Sequence, residues 1–121
     1  MAHSGTIIHM RNVPGDPTLR ALDAPLPLKN MDGTDDEVPT DYVWNGASGN
    51  WFTHKLFPRH DHPIATCRHD YRCDMAKTPE ERLFADKEFK KDVGTTAGWW
   101  EQTKGYVGVR IGAFFGIGNN F

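Results

Sequence analysis

Three segments in the second half of the chain place apolar residues at helical spacing. They cover residues 63–76, 79–93 and 97–115. The second segment opens with Thr78-Pro79-Glu80-Glu81, a capping box with proline at the first helical position. The pattern therefore predicts three helices that pack against one another.

The first part of the chain has a different pattern, with short apolar runs and five of the eight prolines. Proline fixes φ and removes a backbone donor, so this part cannot hold a long helix. Short strands are predicted at residues 6–10 and 41–44, which carry β-branched and aromatic side chains. We therefore predict an α+β fold. Residues 1–37 form an extended N-terminal arm with short strands, and residues 38–121 form a small, mainly helical domain that begins with a strand and a loop.

Charge divides the chain at about the same place. Residues 1–41 carry seven acids and three bases, whereas the rest of the chain has a small positive excess and the whole chain a net charge of −2. This balance excludes a strongly basic nucleic-acid binder, and no nucleic-acid partner is expected. An acidic arm buries little apolar area by itself, which leaves two alternatives open: it wraps its own domain, or it lies across neighbouring subunits.

Several classes of protein are excluded by composition. No run of about 18 apolar residues could cross a membrane, and residues 1–5 lack the basic tip and apolar core of a secretory signal. Cys67 and Cys73 lie six positions apart on the first helix, roughly 9 Å along its axis. A disulfide needs Cα atoms closer than about 7 Å. We expect free thiols, as in a reducing cytoplasm, with a bridge to another chain as the alternative.

The second helix carries the clearest indication of chemistry. Leu83, Phe89 and Val93 define its apolar arc, and Asp86 and Arg82 fall inside that arc rather than opposite it. A carboxylate on a buried face is costly unless it is paired. Asp86 is therefore expected to have a partner from another helix.

His69, on the first helix, is the expected partner of Asp86. A His–Asp hydrogen bond fixes the imidazole tautomer and raises its basicity, which suits a general base. Asp70 points about 100° further round the helix and is free to bind a hard cation such as calcium. The alternative, which spacing alone favours, is a His–Asp–Arg cluster that only ties helices together.

Two further patterns have structural interpretations. His60-Asp61-His62 resembles part of a zinc site, but capping of the first helix and solvent exposure explain it better. Gly108, Gly112 and Gly116 recur every four residues on the third helix. Because each glycine weakens a helix by about 1 kcal/mol, this stripe indicates close packing of another backbone in the core.

Four blocks between residues 38 and 116 follow the order of a known family. Residues 38–48 resemble V-P-x-G-F-x-[TS]-D-G-A-S, residues 69–71 resemble H-D-x-x-Y, residues 85–89 resemble A-D-x-x-F and residues 109–112 resemble V-R-x-G. These are the signatures of the phage and prophage domain-of-unknown-function family 1353, and the resemblance implies phage origin. The matched residues singled out are Asn45, Ser48, His69, Tyr71, Asp86, Arg110 and Gly112.

The chain departs from that family at three places. Asn45 stands where the family usually has aspartate, and residues 49–50 replace a hydrophobic-proline pair. Cys73 and Asp74 replace the usual tyrosine.

The first two helices are also similar to the catalytic helices of microbial secreted phospholipase A2 enzymes, where a C-x-R-H-D helix precedes a helix with a D-x-x-F-like block. This resemblance implies His69 as general base, Asp86 as its orienting partner and Asp70 as the calcium carboxylate. The cysteine here lies one residue closer to the histidine. The disulfides of those enzymes have no partners in this chain, and no clear calcium loop precedes the helix.

These observations predict a phage virion component of the tail, baseplate or connector. It would be made in the host cytoplasm and would contact other virion proteins or copies of itself through residues 1–41. The alternative is a hydrolase that uses His69 and Asp86 on lipid or envelope esters, with membrane lipid as its partner. A third interpretation is a host-directed interaction protein that uses the acidic arm and aromatics such as Trp51 or Trp99. No cofactor is expected, apart from calcium under the hydrolase alternative.

Overall fold

The computed structural model describes residues 6–45, 62–95, 97–116 and 119. Within these ranges, five short strands precede three helices. The predicted α+β class, with strands first and three packed helices after them, is confirmed.

The first sheet is antiparallel and has the strand order β1-β2-β5. Strand β1 (Met10–Val13) pairs with β2 (Asp16–Leu22), which pairs with β5 (Val43–Trp44). Gly15 turns the chain between β1 and β2 at a φ of +86°, a conformation that glycine adopts without strain. The side chains of Leu22 and Trp44 on this sheet are buried in the core.

The second sheet is a hairpin of β3 (Leu26–Lys29) and β4 (Asp35–Val38), with Leu26 opposite Val38. Strand β3 alternates buried leucines with exposed residues, as a strand covered on one face should. In β4 the first three residues, all acidic, are exposed, and Val38 alone is buried.

The N-terminal part holds more regular structure than the sequence pattern predicts. Of the two predicted strands, only Met10 of residues 6–10 and Val43–Trp44 of residues 41–44 are in strands. Strands β2, β3 and β4 lie between them, and the predicted boundary after residue 37 falls inside β4. Pro17 and Pro27 are the reason that the sequence pattern did not predict β2 and β3. The sheets tolerate both prolines, because Pro17 lies in an irregular stretch of the β1–β2 ladder and Pro27 on an edge strand.

The three helices begin and end within two residues of their predicted limits. They are α1 (Pro63–Met75), α2 (Pro79–Gly94) and α3 (Trp99–Phe114). The predicted capping of α2 is present, since the Thr78 hydroxyl accepts the Glu81 backbone N–H. His62 precedes α1 without a side-chain capping bond, and Asp61, the other proposed cap, lies outside the described residues. None of the described helices combines the length and apolar character needed to cross a bilayer.

Two apolar clusters hold these elements together. The first joins both sheets to α1, and the Trp44 indole N–H adds a 3.2 Å hydrogen bond to Thr66. The second joins the helices to one another. The first cluster consists of Leu22, Leu26, Leu28, Val38, Trp44 and Cys67, and the second of Ala65, Phe89, Val93 and Val109.

The glycine stripe of α3 is displaced by one turn from its predicted position. Gly108 and Gly112 are buried as expected. Gly116 instead lies beyond the helix, exposed and with a φ of +78°. Gly105 takes its place as the third buried glycine of the stripe.

The packing of the hairpin on α1 makes Leu26 important for stability. We expect Leu26→Ala to lower the free energy of unfolding by about 2–5 kcal/mol, because it leaves a cavity between sheet and helix. Ile7→Ala, at an exposed site in the same part of the chain, should change it by less than about 0.5 kcal/mol. Urea denaturation followed by tryptophan fluorescence measures both. Equal effects would show that the N-terminal part does not pack on its own helices in solution.

Candidate functional site

The buried carboxylate of Asp86, on α2, lies at the centre of the three helices. His69 Nε2 of α1 is 2.6 Å from Asp86 Oδ1. Arg82 Nε of α2 donates to the same oxygen at 2.9 Å. Arg110 Nη1 of α3 donates to Oδ2 at 2.6 Å. We call these four residues the Asp86 cluster; it draws on all three helices.

Helical spacing and the glycines of α3 explain how the cluster forms. Arg82 and Asp86 are four positions apart on α2, so their side chains share one face. The glycine face of α3 lies toward this side, and Arg82 Nη2 donates to the Val109 carbonyl oxygen at 3.0 Å. Arg82 Nη1 also donates to Asn119 Oδ1 at 2.9 Å. The Arg82 guanidinium therefore joins α2 directly to the backbone of α3.

The predicted meeting of His69 and Asp86 is confirmed as geometry, and so is the inward position of Arg82. The sequence did not predict that Arg110 would complete the cluster, because it identified this residue only through the V-R-x-G block. A signal was present, since Arg110 is the only charged residue between positions 105 and 121. A lone charge in such a run needs a partner when its helix packs.

Electrostatics favour the charged form of both partners. Burial disfavours the Asp86 carboxylate, but the hydrogen bond from His69 and the nearby positive charges outweigh it and lower the pKa of Asp86. Burial likewise disfavours the His69 imidazolium, but interactions with Cys73 and Asp86 outweigh it and raise the pKa of His69 to about 10. At neutral pH the imidazole is therefore protonated, whereas a general base must be free to accept a proton.

Cys73 lies one helical turn after His69, with its Sγ 3.5 Å from His69 Nε2. Cys67 and Cys73 are both free and buried, so the prediction of free thiols within the chain is confirmed. Ligand atoms of His69, Cys73 and Asp86 lie within 4.8 Å of one another, which makes them the one candidate group of metal ligands in the part of the chain that the structure describes.

The arrangement of this group does not fit a metal ion. His69 Nε2 and Asp86 Oδ1 are 2.6 Å apart, whereas two ligands of one zinc ion lie roughly 3.3 Å apart. Arg82 and Arg110 also occupy both oxygens of Asp86 and would repel a cation.

Asp70, the next residue on α1, accepts the backbone N–H of Asn45. Burial is the main cause that raises the pKa of Asp70 to about 6, and Asp74 adds to this rise. His69 and Arg82, the other charged side chains acting on it, are cations. Calcium takes six to eight oxygen ligands, so these surroundings do not form a calcium cage among the described residues.

The remaining predicted residues have structural positions or lie outside the described part. The Tyr71 ring packs edge-on against Tyr42 with centroids 5.4 Å apart. Gly112 is buried on α3. His62, from the proposed zinc pattern, lies 3.6 Å from a carboxylate oxygen of Glu101. Ser48, Trp51, His60 and Asp61 lie outside the described residues.

A second polar cluster, which the sequence did not predict, joins α1 and α2 to the β3–β4 hairpin. Arg68 donates to the Asp92 carboxylate at 3.0 Å and to the Pro27 carbonyl at 2.7 Å. Arg72 donates to the Lys29 carbonyl at 3.0 Å. These pairs are 24 to 43 positions apart in the sequence, so no local spacing could have indicated them.

Comparison with known proteins found no matching family model, no matching curated protein and no matching solved structure. The residues of the Asp86 cluster and the four sequence blocks are therefore the basis for a functional assignment.

Because the pKa of His69 is raised, we expect the free energy of unfolding to depend on pH in the alkaline range. An imidazolium held more tightly in the folded state stabilises the fold fully below about pH 6.5, the ordinary pKa, and this contribution is lost as pH rises towards 10. We expect the free energy of unfolding to fall over this range more steeply in the wild type than in His69→Gln, as measured by urea denaturation.

The exposed His9 provides the control for this experiment. His9→Gln should keep the wild-type slope. A His69→Gln variant whose stability falls as steeply as the wild type would show that His69 is not held as an imidazolium.

Proposed function

We propose that this protein is a non-catalytic structural component of a phage particle, in its tail, baseplate or connector. The observation that carries the proposal is the composition of the Asp86 cluster. His69, Asp86 and Arg110 come from three separate blocks that resemble the phage family, and they meet within 2.6 Å contacts at one point. This convergence supports the interpretation that the blocks belong to one structural unit and are not separate chance matches of short sequences.

The first block also contacts this unit. The backbone N–H of Asn45 donates to Asp70, the neighbour of His69 on α1. The indole N–H of Trp44 donates to Thr66 of the same helix. All four blocks therefore have described residues that make contacts around α1 and α2.

The state of the cluster supports a structural role over a catalytic one. Both oxygens of Asp86 are occupied by guanidinium groups, and Asp86, Arg82 and His69 are buried. Removing one partner from a buried cluster of this kind costs about 3–5 kcal/mol. The arrangement therefore holds three helices in place and leaves His69 protonated.

The acidic hairpin provides a surface for neighbouring virion proteins. Residues 31–37 are all exposed, and β4 pairs only with β3 among the described strands. An edge strand offers unpaired backbone groups to another chain. Three consecutive acids on this edge oppose pairing with a second copy and favour a basic neighbour. We therefore propose that this hairpin makes the contact with other virion proteins that is expected for residues 1–41.

Incorporation into particles tests the proposal. We expect the protein at a fixed copy number in purified particles of the phage or prophage that encodes it, as measured by quantitative mass spectrometry. Immunogold electron microscopy should place it at the tail, baseplate or connector. A protein found only as a free lysis-stage product, and absent from particles, would overturn the proposal.

A pair of charge reversals tests the contact through the hairpin. Glu37→Lys should reduce incorporation several-fold, because it reverses the charge of the exposed edge without touching the core. Glu80→Lys makes the same change at an exposed site on α2 and should leave incorporation unchanged. Equal incorporation of both variants would exclude the hairpin as the contact.

One observation favours hydrolysis as a second candidate function. The 2.6 Å contact between His69 Nε2 and Asp86 Oδ1 is the orientation of a His–Asp dyad and leaves Nδ1 as the nitrogen that would activate water. Lipid or envelope esters would be the substrate. Hydrolysis of a short-chain phospholipid in the presence of calcium, lost in a His69→Gln variant with an unchanged circular dichroism spectrum, would establish it in place of the structural role.

A further inference from the structure

Helix α3 turns its small residues inward and its large apolar residues outward. Its buried residues are Gly105, Gly108, Val109 and Gly112. Trp99 is 71% exposed, Trp100 63% and Phe114 83%, and Phe115, directly after the helix, is 69% exposed. Surface helices normally show the opposite arrangement, with polar residues outside. A helix that is apolar on both sides is expected to be covered on both sides.

The exposed residues share one side of the helix, with Thr103 and Arg110 between them on the same side. At about 100° per residue, Trp99, Trp100, Val107 and Phe114 fall within roughly 100° of the helix circumference. We call these four residues, together with Phe115, the outer face of α3. Its aromatic rings alone expose on the order of 500–600 Å². A patch of this size lies at the upper end of the largest apolar patches of monomeric proteins, and such patches often mark interaction sites. A stable dimer buries about 800 Å² on each partner, so residues that flank the outer face would also be covered.

The outer face is symmetric about Val107. Trp100 and Phe114 lie seven positions to either side of it, and Trp99 and Phe115 lie eight positions to either side. In an antiparallel pair with a two-fold axis at Val107, Trp100 of one chain therefore lies at the level of Phe114 of the other, and Trp99 at the level of Phe115. Two-fold interfaces require a surface that is complementary to itself in this way.

No unpaired charge of α3 would be buried by such a contact. The charged residues of this helix are Glu101, Lys104 and Arg110. Lys104 is paired with Glu101 on the same helix, and Arg110 is paired with Asp86 of its own chain. The outer face can therefore be covered without a charge left unpaired in the interface.

We propose that the outer face of α3 is the interface of a homodimer, in which two α3 helices pack antiparallel about a two-fold axis at Val107. This surface is separate from the acidic hairpin, and the inference does not depend on the proposed function.

The mass of the full chain in solution tests the dimer. At tens of micromolar, light scattering should give the wild type twice the chain mass of 13.7 kDa. Val107→Glu places two like charges opposite each other at the axis and should raise the dissociation constant at least a hundredfold. Val43→Glu is the matched control, since Val43 is 45% exposed and Val107 44%, and it should remain dimeric.

Cross-linking tests the position of the axis. Under oxidation by copper-phenanthroline, Val107→Cys should form a covalent dimer, because each Val107 faces its own copy across the axis. Val43→Cys should not, and the native cysteines are buried and therefore protected. A dimer that Val107→Glu leaves intact, or that Val107→Cys does not cross-link, would overturn the proposed interface.

A monomeric wild type would also overturn the proposal and show what covers the outer face instead. Binding of the monomer to phosphatidylcholine vesicles, with a blue shift of tryptophan fluorescence, would assign the face to lipid. Protection of Trp99 and Trp100 from acrylamide quenching in the free monomer would assign it to other residues of the same chain.

Discussion

The need to compensate one buried negative charge determines how the helices of this protein are arranged. Asp86 is withdrawn from water, and a carboxylate in that position is tolerated only with partners close by. Each helix supplies one: His69 from α1, Arg82 from α2 and Arg110 from α3. Among the described residues, the apolar cluster between these helices consists of four buried side chains. Polar contacts therefore carry much of the specificity of helix packing in this fold.

The local sequence pattern was sufficient to predict the three helices and the part of the Asp86 cluster formed by His69, Arg82 and Asp86. Spacing placed Asp86 and Arg82 on the apolar arc of α2, and the cost of burying a carboxylate then required a partner such as His69. The capping box likewise located the start of α2, because capping depends on residues only three positions apart. Each of these inferences needs only neighbours within one or two helical turns.

Contacts between distant parts of the chain were not predictable in this way. The pairing of β3 with β4 depends on the register of the two strands across a turn. Pro27, which an edge strand tolerates, also kept the sequence pattern from indicating β3 as a strand. Arg68 and Arg72 reach carbonyl groups of β3 more than 40 positions away. The family blocks pointed to Arg110, but its role in neutralising Asp86 became visible only when α3 was placed against α2. The raised pKa of His69 likewise depends on Cys73 and on Asp86 of α2, whose effect outweighs that of burial.

A single carboxylate shared by three helices also has a consequence for cooperativity. If any one helix detached, the other two would retain a buried ionic group with an incomplete set of partners, and such a partly opened state is high in free energy. The helical half should therefore pass between folded and unfolded without a populated two-helix intermediate, despite its small apolar cluster. Arg82, which contacts both Asp86 and the backbone of α3, makes this coupling strongest between α2 and α3.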